Sequence, residues 1–293
     1  MGSYQSNSCH PIEGTNRWVE FENDWFAEGR SRRAYRGTYK GDWRVEGKKC
    51  VVKIYKEVWC ERIGELAYKA DIRASERAQE MARAFNQMYP SIESIEFIQP
   101  EISKINSSSA FMFLGFIPFH KKVKGKRASS KDTSTEMIPE GDTVAIEKYL
   151  RGKFTSFLSN SGYETVPSAV PAAFSHFTFH HSHGKILVCD LKGVREDHGY
   201  VFTDPAIHSS ISAFQYGFFG PTDLGDIGMI KFFQNHKCND LCSRFLQPVL
   251  ESVMPRHESL ARHIGDSNAT VFNCELLRRC ETATYELSSL AIS

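Results

Sequence analysis

Between Lys185 and Cys242 the chain runs through an apolar strand ending in an acid, a second apolar stretch ending in another, a glycine-punctuated loop and a His/Cys cluster. The strand is Lys185-Ile186-Leu187-Val188-Cys189 with Asp190 at its end; the second stretch is Val201-Phe202-Thr203, closed by Asp204-Pro205. A carboxylate at the end of a buried strand stands where the sheet meets solvent, suited to orient a hydroxyl or hold a hard cation. One such aspartate alone reads as a turn cap. Two in one region suit magnesium on nucleotide phosphates, which takes one or two protein carboxylates and leaves the rest to water and phosphate. Thr203 adds a hydroxyl beside the second acid.

The loop from Gly220 to Gly228, GPTDLGDIG, leads into an apolar helical run ending in His236-x-Cys238-x3-Cys242. On a helix Cys238 and Cys242 share a face, so two thiolates can reach one ion, with His236 approaching from the preceding turn. Tetrahedral structural zinc needs a fourth ligand, and His176 is the best placed because its segment flanks the strand leading to Asp190. The alternative is a pair of reduced core cysteines beside a surface histidine.

Taken in order, AFSHFTF, VCDLKGV, FTDPAIHS, FGPTDLG, GM and NHKCNDLC closely resemble the motifs of the atypical alpha-kinases: myosin heavy chain kinases, elongation factor 2 kinase and the kinase domains fused to certain ion channels. The resemblance runs from about Trp18 to about Phe245. It implies an α+β, two-lobed protein-kinase-like fold with mostly antiparallel sheets, flanking helices and a structural zinc site (His176, His236, Cys238, Cys242) in the C-lobe. The expected divisions are an N-terminal tail (1–16), an N-lobe (17–145) and a C-lobe with its tail (146–293). The implied activity is ATP-dependent, with magnesium at Asp190 and Asp204 and a protein serine or threonine hydroxyl as acceptor.

The rest of the chain sets bounds. Its 293 residues, 41% of them hydrophobic, can bury a substantial core. A net charge of +1 gives no pointer to nucleic acid. No apolar run approaches the length of a membrane span and no signal peptide opens the chain, so an intracellular, cytoplasmic location is expected. Eight cysteines, two in metal spacing, read as reduced thiols. The polar opening MGSYQSNSCHPIEGTN reads as a mobile tail; Gly2 fits a myristoylation pattern, with Cys9 as a second acylation site, which would give weak membrane association.

In the N-lobe, the turn around Gly29, Arg30, Ser31 and Arg32 is glycine-containing and rich in guanidinium groups, and its backbone N–H groups can face phosphates; by itself it also fits a solvated hairpin. The resemblance places it over the nucleotide phosphates. Cys50-Val51-Val52-Lys53-Ile54-Tyr55 is a strand with one lysine at its centre, either an edge lysine or a buried one with a partner; by resemblance Lys53 is the ATP-binding lysine. Ala74, Ala78, Met81, Ala82 and Phe85 form a helical stripe expected to pack beside that strand. Glu76 on this helix is a conceivable partner for Lys53, although surface i,i+4 pairing suits it better. Segment 121–136 is basic and rich in serine and threonine, with Ser129 and Ser130 as phosphorylation candidates, and reads as a surface loop. The strand from Val144 resembles the family's hinge, where Glu147 and Leu150 would meet adenine through main-chain atoms. Gly220, Asp223 and Gly225 fall in the loop that the resemblance assigns to the substrate side.

Two departures bear on activity: Lys192 stands where the family typically has glutamine, and the segment Arg195 to Gly199, between the two acids, is longer and more charged than the resemblance leads one to expect. In the glycine loop Asp223 also stands where asparagine is usual. By resemblance Asp190 would act on the substrate hydroxyl and Lys192 would stabilise the transferring group. An ammonium could also displace a magnesium ion, which keeps open a pseudokinase, a zinc-stabilised binding module with little phosphotransfer. A kinase acting on a small molecule is the third reading.

Overall fold

The computed structural model describes residues 7–29, 31–56, 66–108, 110–113, 117–120, 138, 140–210 and 218–248. In chain order the first strands are β1 (Asn7–Cys9), β2 (Trp18–Glu28), β3 (Arg32–Lys40) and β4 (Lys49–Tyr55), followed by helix α1 (Leu66–Met88). Then come β5 (Ser94–Phe97), β6 (Glu101–Ser107), β7 (Ala110–Phe113), β8 (Ile117–His120), β9 (Thr143–Lys148) and β10 (Thr155–Leu158). Helix α2 (Ala169–His181), β11 (Ile186–Cys189), β12 (Leu191–Glu196), β13 (Gly199–Thr203), β14 (Ala206–Ser209) and helix α3 (Gly225–Asn235) complete the set. The chain divides into two units, Met1–Tyr68 with Pro100–Tyr149, and Lys69–Gln99 with Leu150–Ser293.

The first unit is built on a closed barrel in the order β1-β2-β3-β4-β9-β6, every ladder antiparallel. Strand alternation turns Val19, Phe21, Tyr35, Cys50, Val52, Ile54 and Ile146 into one core. Closure leaves no edge for β4, so Lys53 is an interior-strand lysine, not an edge one. The polar tail expected over 1–16 is corrected here: Asn7–Cys9 is a buried barrel strand. Its polar side chains are paired, Asn7 Nδ2 donating to Asn23 Oδ1 at 2.7 Å and Ser8 Oγ meeting Ser107 Oγ at 2.8 Å. Satisfied polar groups can be buried, which composition alone does not reveal. Cys9 is 2% exposed with its thiol pushed up to about 12 by burial, which removes it as an acylation site.

In the second unit β10-β12-β13-β5 form one sheet, with β5 joined in parallel to β13, and β11 pairs with β14. Helix α2 is apolar nearly all round and is buried from Val170 to Phe179, as such a helix must be. The stripe on α1 is buried as its spacing requires, but in this unit: Phe85 makes edge-to-face contacts with Phe174 at 5.5 Å and Phe177 at 5.2 Å. Residues 69–99 therefore join the second unit and the first extends to Tyr149, in place of a single boundary after residue 145.

One regularity positions the acids. The β11/β14 ladder pairs Ile186 with Ser209 and Cys189 with Ala206, and the β12/β13 ladder pairs Lys192 with Thr203 and Glu196 with Gly199. Continuing the first by two positions sets Leu191 opposite Asp204 and then runs into the second, so both ladders keep one register. The hairpin is interrupted only at Asp190-Leu191 and Asp204-Pro205.

Candidate active site

Both acids sit at that interruption in the same backbone state, Asp190 with φ 54° and Asp204 with φ 49°. The left-handed region is costly for most side chains and more accessible to aspartate. Each acid ends a fully buried strand and turns the chain out of the ladder. Thr203 is buried. Lys192 Nζ lies 2.7 Å from Asp190 Oδ2, and both side chains are about a quarter exposed (28% and 25%).

In the first unit β2 and β3 pair up to Glu28 and Arg33, and beyond that pair Gly29 N–H donates to the Arg32 carbonyl at 2.8 Å. Arg30 lies outside the described residues. Arg32 stands over the Tyr55 ring and Arg33, buried, over Trp25, so the guanidinium groups are held on aromatic faces. Lys53 pairs in register with Ala34 and Ala145. Its Nζ meets Glu147 Oε2 at 2.7 Å, with side-chain exposures of only 9% and 5%. The sequence points to Glu147 only through its main-chain atoms, and to Glu76 as a conceivable partner for the lysine better suited to surface pairing. The barrel register brings the Glu147 carboxylate to Lys53, and a residue 94 positions away carries no local signal for it. Leu150 packs against Ile98, Val194 and Val201 in the second unit.

Gly220 and Gly225 adopt φ of 100° and 61°. Between them Asp223 is fully buried and faces backbone: its carboxylate accepts from Ser209 N and Gly225 N at 2.9 Å and from Ser209 Oγ at 2.5 Å. Burial pushes its carboxyl up to about 6, partly offset by these donors. His208 ties the adjacent turn, Nε2 donating to the Asn160 carbonyl at 2.7 Å and Nδ1 accepting from Leu224 N at 3.1 Å. Burial pulls His208 down to about 4, so the ring is neutral. A Cβ on Gly228 would lie 2.4 Å from that ring, which is why α3 carries glycine there. His208 and Ser209 stand in the motif FTDPAIHS, but nothing in their spacing marks them as anchors of this loop.

His176, His236, Cys238 and Cys242 present four donor atoms within 4.8 Å of one another. Cys238 Sγ is 3.6 Å from His176 Nδ1, and Cys242 Sγ is 3.5 Å from His236 Nε2. A tetrahedral zinc sets N and S donors about 3.5 Å apart, so the residues fit the ion. His176 Nε2 donates to the Leu246 carbonyl at 2.9 Å, which turns the Nδ1 lone pair to the cluster. Burial lowers both imidazoles, His236 to about 4, leaving them neutral as ligands must be. The helical placement is corrected: α3 ends at Asn235, and His236 is its extended C-cap with ψ 128°. Leaving the helix lets the His236 ring stack on Phe232 at 4.8 Å, while a turn from Asn239 to Cys242 brings the last thiol back.

Gly2, segment 121–136 with Ser129 and Ser130, and residues 249–293 lie outside the described residues. Among the described residues no helix is long and apolar enough to cross a membrane.

A model of the alpha-kinase family matches residues 27–242. Alpha-protein kinase vwkA of Dictyostelium discoideum is 29% identical over 224 residues, 75% of this chain and 30% of that protein. The alpha-kinase domain of myosin heavy chain kinase A, solved in complex with ADP, is 25% identical with a TM-score of 0.56 over 83% of this chain and 95% of that one. An alpha kinase from Entamoeba histolytica, 21% identical, shares the fold with a TM-score of 0.60 over 85% of this chain and 93% of that one. The chain spans less than a third of the length of the curated relatives it matches.

Proposed function

The chain belongs to the alpha-kinase family, and from that premise we propose that it is an ATP-dependent protein serine/threonine kinase. The observation that carries the reading is the placing of Asp190 and Asp204 at the single break of a shared-register hairpin, both in the left-handed region. Asp190 receives the proton of the substrate hydroxyl as its oxygen forms a bond to the γ-phosphorus, and the bond to the bridging oxygen breaks with its electron pair leaving on ADP. Asp204 and Asp190 are the residues that would hold magnesium, with Thr203 alongside. Held there, magnesium would supply positive charge against that developing on the phosphates and the leaving group. Lys53, held by Glu147, neutralises the phosphates as a point charge.

Gly29, Arg30, Ser31 and Arg32 cover the phosphates, and Glu147 and Leu150 offer main-chain atoms to adenine. Gly220, Asp223 and Gly225 form the substrate-side loop, which the carboxylate of Asp223 stiffens from within. His176, His236, Cys238 and Cys242 would hold a structural zinc that ties α2 to the segment after α3.

The pseudokinase reading draws its support from the ion pair of Lys192 with Asp190, which engages the carboxylate assigned to the hydroxyl. Transfer of label from radiolabelled ATP to a generic basic protein separates the two. The kinase reading expects incorporation that Asp190→Ala abolishes, with label recovered on phosphoserine or phosphothreonine. Equal incorporation by wild type and Asp190→Ala removes it, and absence of transfer with retained ATP binding favours the binding module.

A further inference from the structure

Lys192 and Asp190 are two residues apart, a spacing that puts strand side chains on one face. Asp190 has left the extended conformation, yet the ammonium still lies 2.7 Å from Oδ2. The register sets Lys192 opposite Thr203, the residue before the second acid. An ammonium therefore stands against Asp190 at the break of the hairpin, where two buried strands each end in an aspartate. Two carboxylates and a triphosphate repel one another unless cations intervene. A divalent ion is the usual remedy, and an ammonium already bonded to one carboxylate both lessens the need for it and repels a further divalent charge.

Resting on the kinase reading, we propose that Lys192 is a built-in counter-ion that neutralises Asp190 and stands in for a second divalent ion. Of the two acids that reading gives to magnesium, Asp204 alone then holds the ion, Asp190 being left to Lys192 and the substrate hydroxyl, and nucleotide binding depends only weakly on that ion. Lysine suits the task because it is a compact point charge that serves phosphate as readily as carboxylate.

Calorimetric titration of ATP in excess EDTA and in excess magnesium, on the full chain and on Lys192→Gln and Lys192→Arg, reads this directly. Thermal unfolding of each variant establishes that it is folded. Wild type should bind metal-free ATP about tenfold more tightly than Lys192→Gln, the order expected for one partly exposed cation, and Lys192→Arg should restore most of the difference. In manganese titrations at saturating ATP, wild type should take up one ion and Lys192→Gln a second. Equal metal-free affinities in wild type and Lys192→Gln, or two manganese ions in wild type, would overturn the proposal. ATP that binds none of the three proteins under either condition removes the kinase reading itself, an outcome distinct from a failure of Lys192 alone.

Discussion

Replacing Glu147 with alanine leaves the Lys53 ammonium in an interior barrel strand without the carboxylate that faces it at 2.7 Å. At an effective dielectric constant near 20 the attraction lost is about 6 kcal/mol, while each ion has already given up several kcal/mol of hydration to be buried. The intact pair is thus close to neutral for stability, and its halves are not. Glu147→Ala should cost about 3–5 kcal/mol. The double variant Lys53→Met/Glu147→Leu should return to within about 1–2 kcal/mol of wild type or exceed it, since hydrophobic groups of similar volume carry no hydration to lose. Urea unfolding followed by tryptophan fluorescence, to which Trp25 buried in the same barrel contributes, measures both, with an unchanged slope showing that two-state behaviour holds. The kinase reading adds a second expectation: the double variant, though stable, binds ATP poorly. A loss below about 1 kcal/mol in Glu147→Ala, the range of a solvated surface pair, would refute the reasoning.

Metal analysis of purified protein should find about one zinc per chain, and chelation should unfold the region around α2; an unchanged melt after chelation would count against the site. The raised Asp223 carboxyl binds, between about pH 4 and pH 6, a proton that the unfolded chain has released. Stability should therefore fall across that window by roughly 2–3 kcal/mol and level off above it. Asp223→Asn should remove this slope, and identical pH profiles for the two proteins would contradict it. Gly228→Ala forces a methyl group to within 2.4 Å of the His208 ring, so thermal unfolding should register a loss of about 1–3 kcal/mol. A loss under about 0.5 kcal/mol would mean that the ring can yield.

What could be read from the chain alone was what depends on local order. Apolar runs ending in Asp190 and Asp204, the stripe from Ala74 to Phe85 and the His/Cys spacing all follow from periodicity or ligand chemistry, and the strands, helix and donor cluster stand there. Long-range pairing was not legible. The partner of Lys53 comes from a strand 94 residues on. The knot of His208, Ser209 and Asp223 joins two segments through backbone groups, which have no side-chain signature. A polar strand such as Asn7–Cys9 looks like tail until its partners are known. The end of α3 before His236 was misread because a four-residue thiol spacing fits a helix and a turn equally well.

The common register of the two ladders makes the spatial relation of Asp190 and Asp204 depend on the sum of paired residue numbers rather than on their separation along the chain. Growth or loss at the tip, Asp197-His198, in steps of one residue per strand would lengthen or shorten the hairpin while leaving the acids where they are. The turn Asp197-His198, between the last paired residues Glu196 and Gly199, is thus where residues can be added without shifting the register of the two acids, and an epitope spliced there should leave both ladders paired.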